Sequence, residues 1–95
     1  MIFGKVVGTV VCSSRNDGLA GPRYLLIERT NQRGEKKGDF VVALDIIGAG
    51  HDELVLVTEG SPSRETPCTV NKPVDALVVG IVDQVDENDR VIFRK

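Results

Sequence analysis

The feature that most constrains this chain is a set of strand-like runs that are apolar on both faces. Residues 2–12 put Ile2, Val6, Val10 and Cys12 on one face and Phe3, Val7 and Val11 on the other. A half-exposed antiparallel strand alternates apolar with polar residues, because successive side chains point to opposite sides of the sheet. This run does not alternate, so both of its faces are expected to be covered. Gly4 and Gly8 fit a strand that bends or coils as barrel strands do. The strongest apolar run has the same character: Val74, Ala76, Leu77, Val78, Val79, Gly80, Ile81 and Val82 are interrupted only by Asp75.

Between the apolar runs the chain is punctuated by turn chemistry. Residues 13–22 carry Ser13, Ser14, Arg15, Asn16, Asp17 and Gly18, then Gly21 and Pro22, with Leu19 as the one large apolar side chain. A second strand is predicted over 23–30, with Tyr24 and Leu26 alternating against Leu25 and Ile27. Residues 31–38 are polar and mostly basic, the composition of a solvated hairpin tip. Strands are predicted at 40–44 and 54–58, and they bracket Asp45, Ile46, Ile47, Gly48, Ala49 and Gly50. Two glycines around an alanine suit a positive φ or a very close backbone approach. A phosphate cradle needs wider spacing, a Lys-Ser/Thr pair and a following helix, whereas His51, Asp52 and Glu53 follow here. What stays open is a plain strand connection or a place where a ligand or neighbouring subunit packs on backbone.

A short helix is predicted after Gly60. Ser61 suits the N-cap, Pro62 the first helical position and Glu65 the first turn, while Pro67 limits the element to one or two turns. Asp83, Asp86, Glu87, Asn88 and Asp89 are expected to form a second, acidic turn, and residues 90–95 a short terminal strand.

A chain of 95 residues is expected to be one domain that buries roughly 60–70 % of its unfolded surface, enough to fold alone but with little margin. It has no second layer to cover the outer faces of its strands, so the doubly apolar pattern points to an obligate oligomer. Ten glycines, abundant valine and only three phenylalanines and one tyrosine favour short strands and tight turns. The expected fold is mainly all-β: a small five-stranded barrel with one short helix.

The residues for chemistry are sparse. The formal net charge of −2 supplies no basic field for nucleic acid or anionic lipid, and the apolar runs are too short to span a bilayer. The first residues show no charged leader and no cleavage site, which makes the cytoplasm the expected location. Cys12 and Cys68 read as two reduced, core-filling thiols. His51 is the only histidine, too little for a catalytic triad or a convergent metal site, so no enzyme activity, metal or cofactor is expected. A five-stranded barrel also invites the oligonucleotide-binding (OB) fold, which makes single-stranded nucleic-acid binding the alternative reading. Such domains stack bases on exposed aromatics along a basic groove. Phe3, Tyr24, Phe40 and Phe93 all lie in strands expected to need them for packing, and residues 29–37 make only a local basic patch.

An ordered set of residues carries a resemblance. Met1, Ile2, Phe3, Gly4, Lys5, Val6, Val7 and Gly8 open the chain; Val42, Ala43 and Leu44 lead into residues 45–50. Gly60, Ser61 and Arg64 follow, then Pro73, Val74, Asp75 and Ala76 and the run from Val79 to Asp83. Together these resemble the EutN/CcmL family, pentameric vertex proteins of bacterial microcompartment and carboxysome shells. The resemblance implies an OB-like barrel assembled as a ring of five, with a structural role in the cytoplasm, within the shell. Its implied partners are further copies of itself and hexameric shell proteins, with residues 29–37 as a candidate contact, and neither nucleic acid nor membrane. It places Gly48, Ala49 and Gly50 near the five-fold axis. Val91, Ile92 and Phe93 either close their own barrel or pair with a neighbour's edge, and the resemblance favours the neighbour. Two places depart from the family pattern: Asp52 stands where a further glycine is often found, and Pro62-Ser63 stand where small residues precede the arginine.

Overall fold

The structure, a computed structural model, describes residues 1–11, 23–60 and 75–95. Its strands are β1 (Ile2–Val10), β2 (Tyr24–Thr30), β3 (Lys36–Asp45), β4 (Leu54–Glu59), β5 (Ala76–Ile81), β6 (Gln84–Glu87) and β7 (Arg90–Arg94). The first five close a barrel in the order β1-β2-β3-β5-β4, and β6 and β7 form a separate two-stranded sheet. The all-β class and the five-stranded barrel are as expected. The short helix expected after Gly60 lies outside the described residues.

The apolar runs are indeed used on both faces. Val6, Leu25, Ile27, Ala43, Val55, Val57 and Val78 fill the barrel interior. On the outer face Leu44 and Leu77 make a second buried cluster with Tyr24 against them. Strand alternation continues that outer face along β3 and β5, where Phe40 is 55 % and Val42 46 % exposed and Val79 is also open. Phe40 therefore departs from the expectation that every aromatic is consumed in packing: its strand turns it away from the core.

Gly4 shows why β1 carries a glycine inside the barrel. A Cβ there would lie 2.2 Å from Cγ2 of the fully buried Ile27 and 3.2 Å from the Glu28 carbonyl oxygen. The absent side chain lets β1 and β2 pack this closely. Between Val6 and Gly8 the β1–β2 register shifts, the irregularity expected of a bent barrel strand.

Two stretches differ from the expected boundaries. The polar tip is shorter than 31–38, because β3 already starts at Lys36. Asn31 closes the turn with its side-chain oxygen, which accepts from the amides of Arg33 (2.8 Å) and Glu35 (3.0 Å). The acidic segment is not one turn: Gln84–Glu87 is β6, and only Asn88 and Asp89 turn, with φ of 53° and 63°. Two consecutive positive φ values are the geometry of a two-residue hairpin, which Asn and Asp tolerate.

This hairpin is fastened to the barrel by side chains. The Phe93 ring sits on the backbone of Gly34, where a Cβ would meet its Cδ1 at 3.3 Å, beside Leu54. Gln32 Nε2 donates to Glu87 Oε1 at 2.6 Å, and Arg33 lies 3.8 Å from the same carboxylate.

Candidate functional site

The loop between β3 and β4 is built on two carboxylates, one at each end. Asp45 ends β3, and its side chain is 0 % exposed. Its Oδ1 accepts from the amides of Ile47 and Gly48, both at 3.1 Å, and its Oδ2 from Ala49 at 3.0 Å. The Arg23 guanidinium donates to the same Oδ2 and, at 3.0 Å, to the Ala49 carbonyl. A buried carboxylate is costly unless it is paired and hydrogen-bonded, and this one is both. Aspartate caps following amides readily, so the chain turns sharply as it leaves the barrel strand.

Glu53 holds the other end. Its Oε1 accepts from the Gly50 amide at 2.5 Å, and its Oε2 from Lys95 Nζ at 2.5 Å. The Lys95 bond, then the Gly50 amide, holds the Glu53 carboxyl below the usual glutamate range, and the same bond raises the Lys95 ammonium above its usual range. Backbone bonds stitch the segment to β1: Asp52 N donates to the Val6 carbonyl at 2.8 Å, and Val6 N to the Glu53 carbonyl at 3.1 Å.

The four consecutive amides from Ile47 to Gly50 thus all point onto the loop's own carboxylates. They leave no amide cradle for an anion, and the outward surface is instead Ile46, Ile47 and Gly48, with His51 and Asp52 beside them.

The sequence-predicted residues fall in two places. Gly48, Ala49 and Gly50 lie together in this loop. Gly48 has φ +80° with nothing within 4 Å of an added Cβ, so its requirement is conformational rather than steric. Ala49 is fully buried in the barrel core. Gly50 has no positive φ; its constraint is the Glu53 carboxylate, 3.2 Å from where a Cβ would stand.

Val91, Ile92 and Phe93 lie on β7, outside the barrel. Within the subunit they pair with β6, and the barrel is closed by five other strands. Phe93 covers Gly34, Ile92 is half-buried and Val91 is exposed. A complementary feature is the edge of β3. It meets β5 only at Leu44 and Asp45, so among the described residues 36–43 have no strand on that side.

Asp45, Arg23, Glu53 and Lys95 are the organising residues that the sequence reading did not single out. An aspartate directly before an apolar, glycine-containing turn is a legible capping signal for Asp45. Arg23 and Lys95 act across 22 and 42 residues of sequence, and no local pattern marks them.

Comparison with known proteins agrees with this geometry over the whole chain. The sequence profile of the family described as "Ethanolamine utilisation protein EutN/carboxysome" matches residues 1–83. The chain is 42 % identical over 95 residues, 100 % of both proteins, to the bacterial microcompartment shell vertex protein EutN of Escherichia coli K12. It is 38 % identical over 95 residues, 100 % of this chain and 95 % of the relative, to the carboxysome shell vertex protein CcmL of Gloeobacter violaceus. The solved structure of Gloeobacter violaceus CcmL superposes with a TM-score of 0.94 at 38 % identity, covering 100 % of this chain and 98 % of that one. The GrpN pentameric microcompartment shell protein of Rhodospirillum rubrum gives 0.82 at 40 % identity, covering 92 % and 99 %. The chain therefore belongs to the EutN/CcmL family of microcompartment shell vertex proteins, structural components of a shell and not enzymes.

Proposed function

We propose that this protein assembles as a homo-pentamer that caps the vertices of a bacterial microcompartment and lets its polyhedral shell close. The observation that carries the reading is an outer surface that stays apolar after the barrel core is complete: Phe40, Val42 and Val79 on the barrel, and Val91 on the hairpin. A ring of five requires a heterologous interface, in which one flank of a subunit meets a different flank of the next and the rotation closes. The open edge of β3 and the β7 strand are two such unlike flanks. In this reading Val91 and Ile92 of one copy approach Phe40 and Val42 of the next, while Phe93 fixes β7 from within its own chain. The loop carrying Gly48, Ala49 and Gly50 faces the five-fold axis, with Ala49 as its inward anchor.

Six-fold tiles alone extend as flat sheets, and five-fold units inserted among them generate curvature. The function is then geometric, performed against hexameric shell proteins at the rim of the ring, with residues 29–37 as a contact. Native mass spectrometry tests the assembly: five subunits of 10.3 kDa in one particle are expected. A chiefly monomeric protein at micromolar concentration would overturn it. In a cell lacking the gene and any paralogue, electron microscopy should show elongated or unclosed shells while the cargo enzymes keep their activity in extract. Normal closed polyhedra would refute the vertex role.

A further inference from the structure

We infer that the β6–β7 hairpin sets the conformation of the glycine loop through one side chain, Glu53, held by Lys95 on one carboxylate oxygen and holding Gly50 with the other. The proposal concerns contacts within one subunit and stands whether or not the ring forms.

The two halves of the loop are secured in different ways. Residues 47–49 hang from Asp45, whose side chain is fully buried and paired with Arg23, the residue before β2. Gly50 depends on a carboxylate whose other partner comes from far along the chain. That partner is placed by the hairpin. Lys95 N donates to the Asp83 carbonyl at 2.9 Å, tying the two ends of the hairpin together. The hairpin body is fixed by Phe93 on Gly34 and by Glu87 on Gln32. Lys95 Nζ is thereby carried to Glu53, and both bonds of the relay measure 2.5 Å. Gly50 needs a hold of its own, because a glycine backbone has a wide choice of conformations and its amide bonds Glu53 rather than Asp45.

The charges set where in pH the relay operates. Glu53 sits below its usual range, so its contribution is complete above the ordinary glutamate value and lost as pH falls through its lowered value. Lys95 sits above its usual range, so its contribution is complete below the ordinary lysine value and lost as pH rises through its raised one. Asp83 also acts on Lys95 and favours its charged form. His51 and Asp52, the remaining titratable groups of the loop, face each other at 3.6 Å. The relay is therefore intact across the neutral range.

The test is ¹⁵N NMR of the full chain, with Gly50 as reporter. In the wild type the Gly50 amide shift should titrate on acidification with a midpoint below the ordinary glutamate value. Lys95→Met should move that midpoint up and speed Gly50 amide exchange by about tenfold, the loss of one charge-assisted support. Gly48 and Ala49, held by Asp45, should change less than about twofold under the same local-opening logic. Lys95→Arg should restore most of the protection. Unchanged midpoint and exchange at Gly50 in Lys95→Met would overturn the proposal, as would an equal loss at Gly48 and Ala49. If Lys95→Met yields too little folded protein, Glu53→Gln replaces it: the neutral amide should abolish the acid titration at Gly50, and a titration that persists refutes the relay. Native mass spectrometry on the same samples reads the pentamer separately, so failure of one reading is not failure of the other.

Discussion

Replacing Asp45 by alanine tests whether the loop is organised by one buried carboxylate. The substitution orphans the amides of Ile47, Gly48 and Ala49 and leaves the Arg23 guanidinium without its anion. Removing one partner from a buried ion pair costs about 3–5 kcal/mol when the other charge stays buried. Here Arg23 is 48 % exposed and can return to water, which lowers the charge contribution. Each amide left unsatisfied costs about 1–3 kcal/mol, but amides in a surface loop recover part of this by opening to solvent. Only the Ala49 amide, in a fully buried residue, has no easy route to water. The balance is about 3 kcal/mol, a large share of the roughly 5–15 kcal/mol that stabilises a domain. For a chain this size it corresponds to a fall in Tm of about 12–24 °C. Arg23→Ala takes the counter-charge from the buried Asp45, but the three amide donors remain and the half-exposed position it vacates admits water, so the loss should be smaller, about 1–2 kcal/mol. Urea denaturation at one fixed protein concentration measures both, since linked assembly makes stability concentration-dependent. A loss below about 1 kcal/mol for Asp45→Ala, or a loss as large for Arg23→Ala, would refute the assignment of Asp45 as the organiser.

Gly4→Ala should destabilise the subunit by at least about 3 kcal/mol in the same assay, because the buried Ile27 cannot yield to a carbon placed 2.2 Å away. Gly48→Val should cost about 1–2 kcal/mol from the positive φ alone, with the crowding repeated in every copy if the loop lies at an axis; a subunit and ring as stable as wild type would remove the loop from any interface. Gly50→Val should displace the Glu53 carboxylate and weaken the pentamer, read by native mass spectrometry, more than it unfolds the barrel. Truncation after Asn88 removes β7 but no barrel strand, so circular dichroism should report a folded protein and mass spectrometry dissociated subunits; loss of folding would make β7 part of the subunit's own stability.

Much of this fold was legible because it rests on local periodicity. Two apolar faces on β1 and β5 announced both a barrel core and an outer surface needing cover; on β5 that second face is Leu77, clustered with Leu44 of β3, and the exposed Val79. The β6 strand escaped notice because it is short and its alternating carboxylates look like turn chemistry; the Asn88-Asp89 pair was the better signal. Within the loop, glycine content pointed to the right segment but not to the cause of its shape. Two carboxylates impose that shape, and their counter-charges arrive from Arg23, just before β2, and Lys95, just after β7. Pairings of this kind are created by topology, which no window of sequence contains.

Asp52 shows how a residue with a side chain can occupy a backbone position suited to glycine. It adopts φ 67°, a left-handed conformation that aspartate tolerates better than most residues. Its amide is committed to the Val6 carbonyl, so the backbone there is dictated by the junction of loop and β1 rather than by the side chain. Glycine relieves the strain in such a position, and aspartate accepts it while adding a charge to an exposed tip beside His51. The same division runs through the loop. Asp45 and Glu53 turn their carboxylates onto the loop's own amides and shape the backbone, whereas the Asp52 and His51 side chains are turned outward and exposed. The inward carboxylates thus fix the loop's backbone, and the outward side chains form its exposed surface.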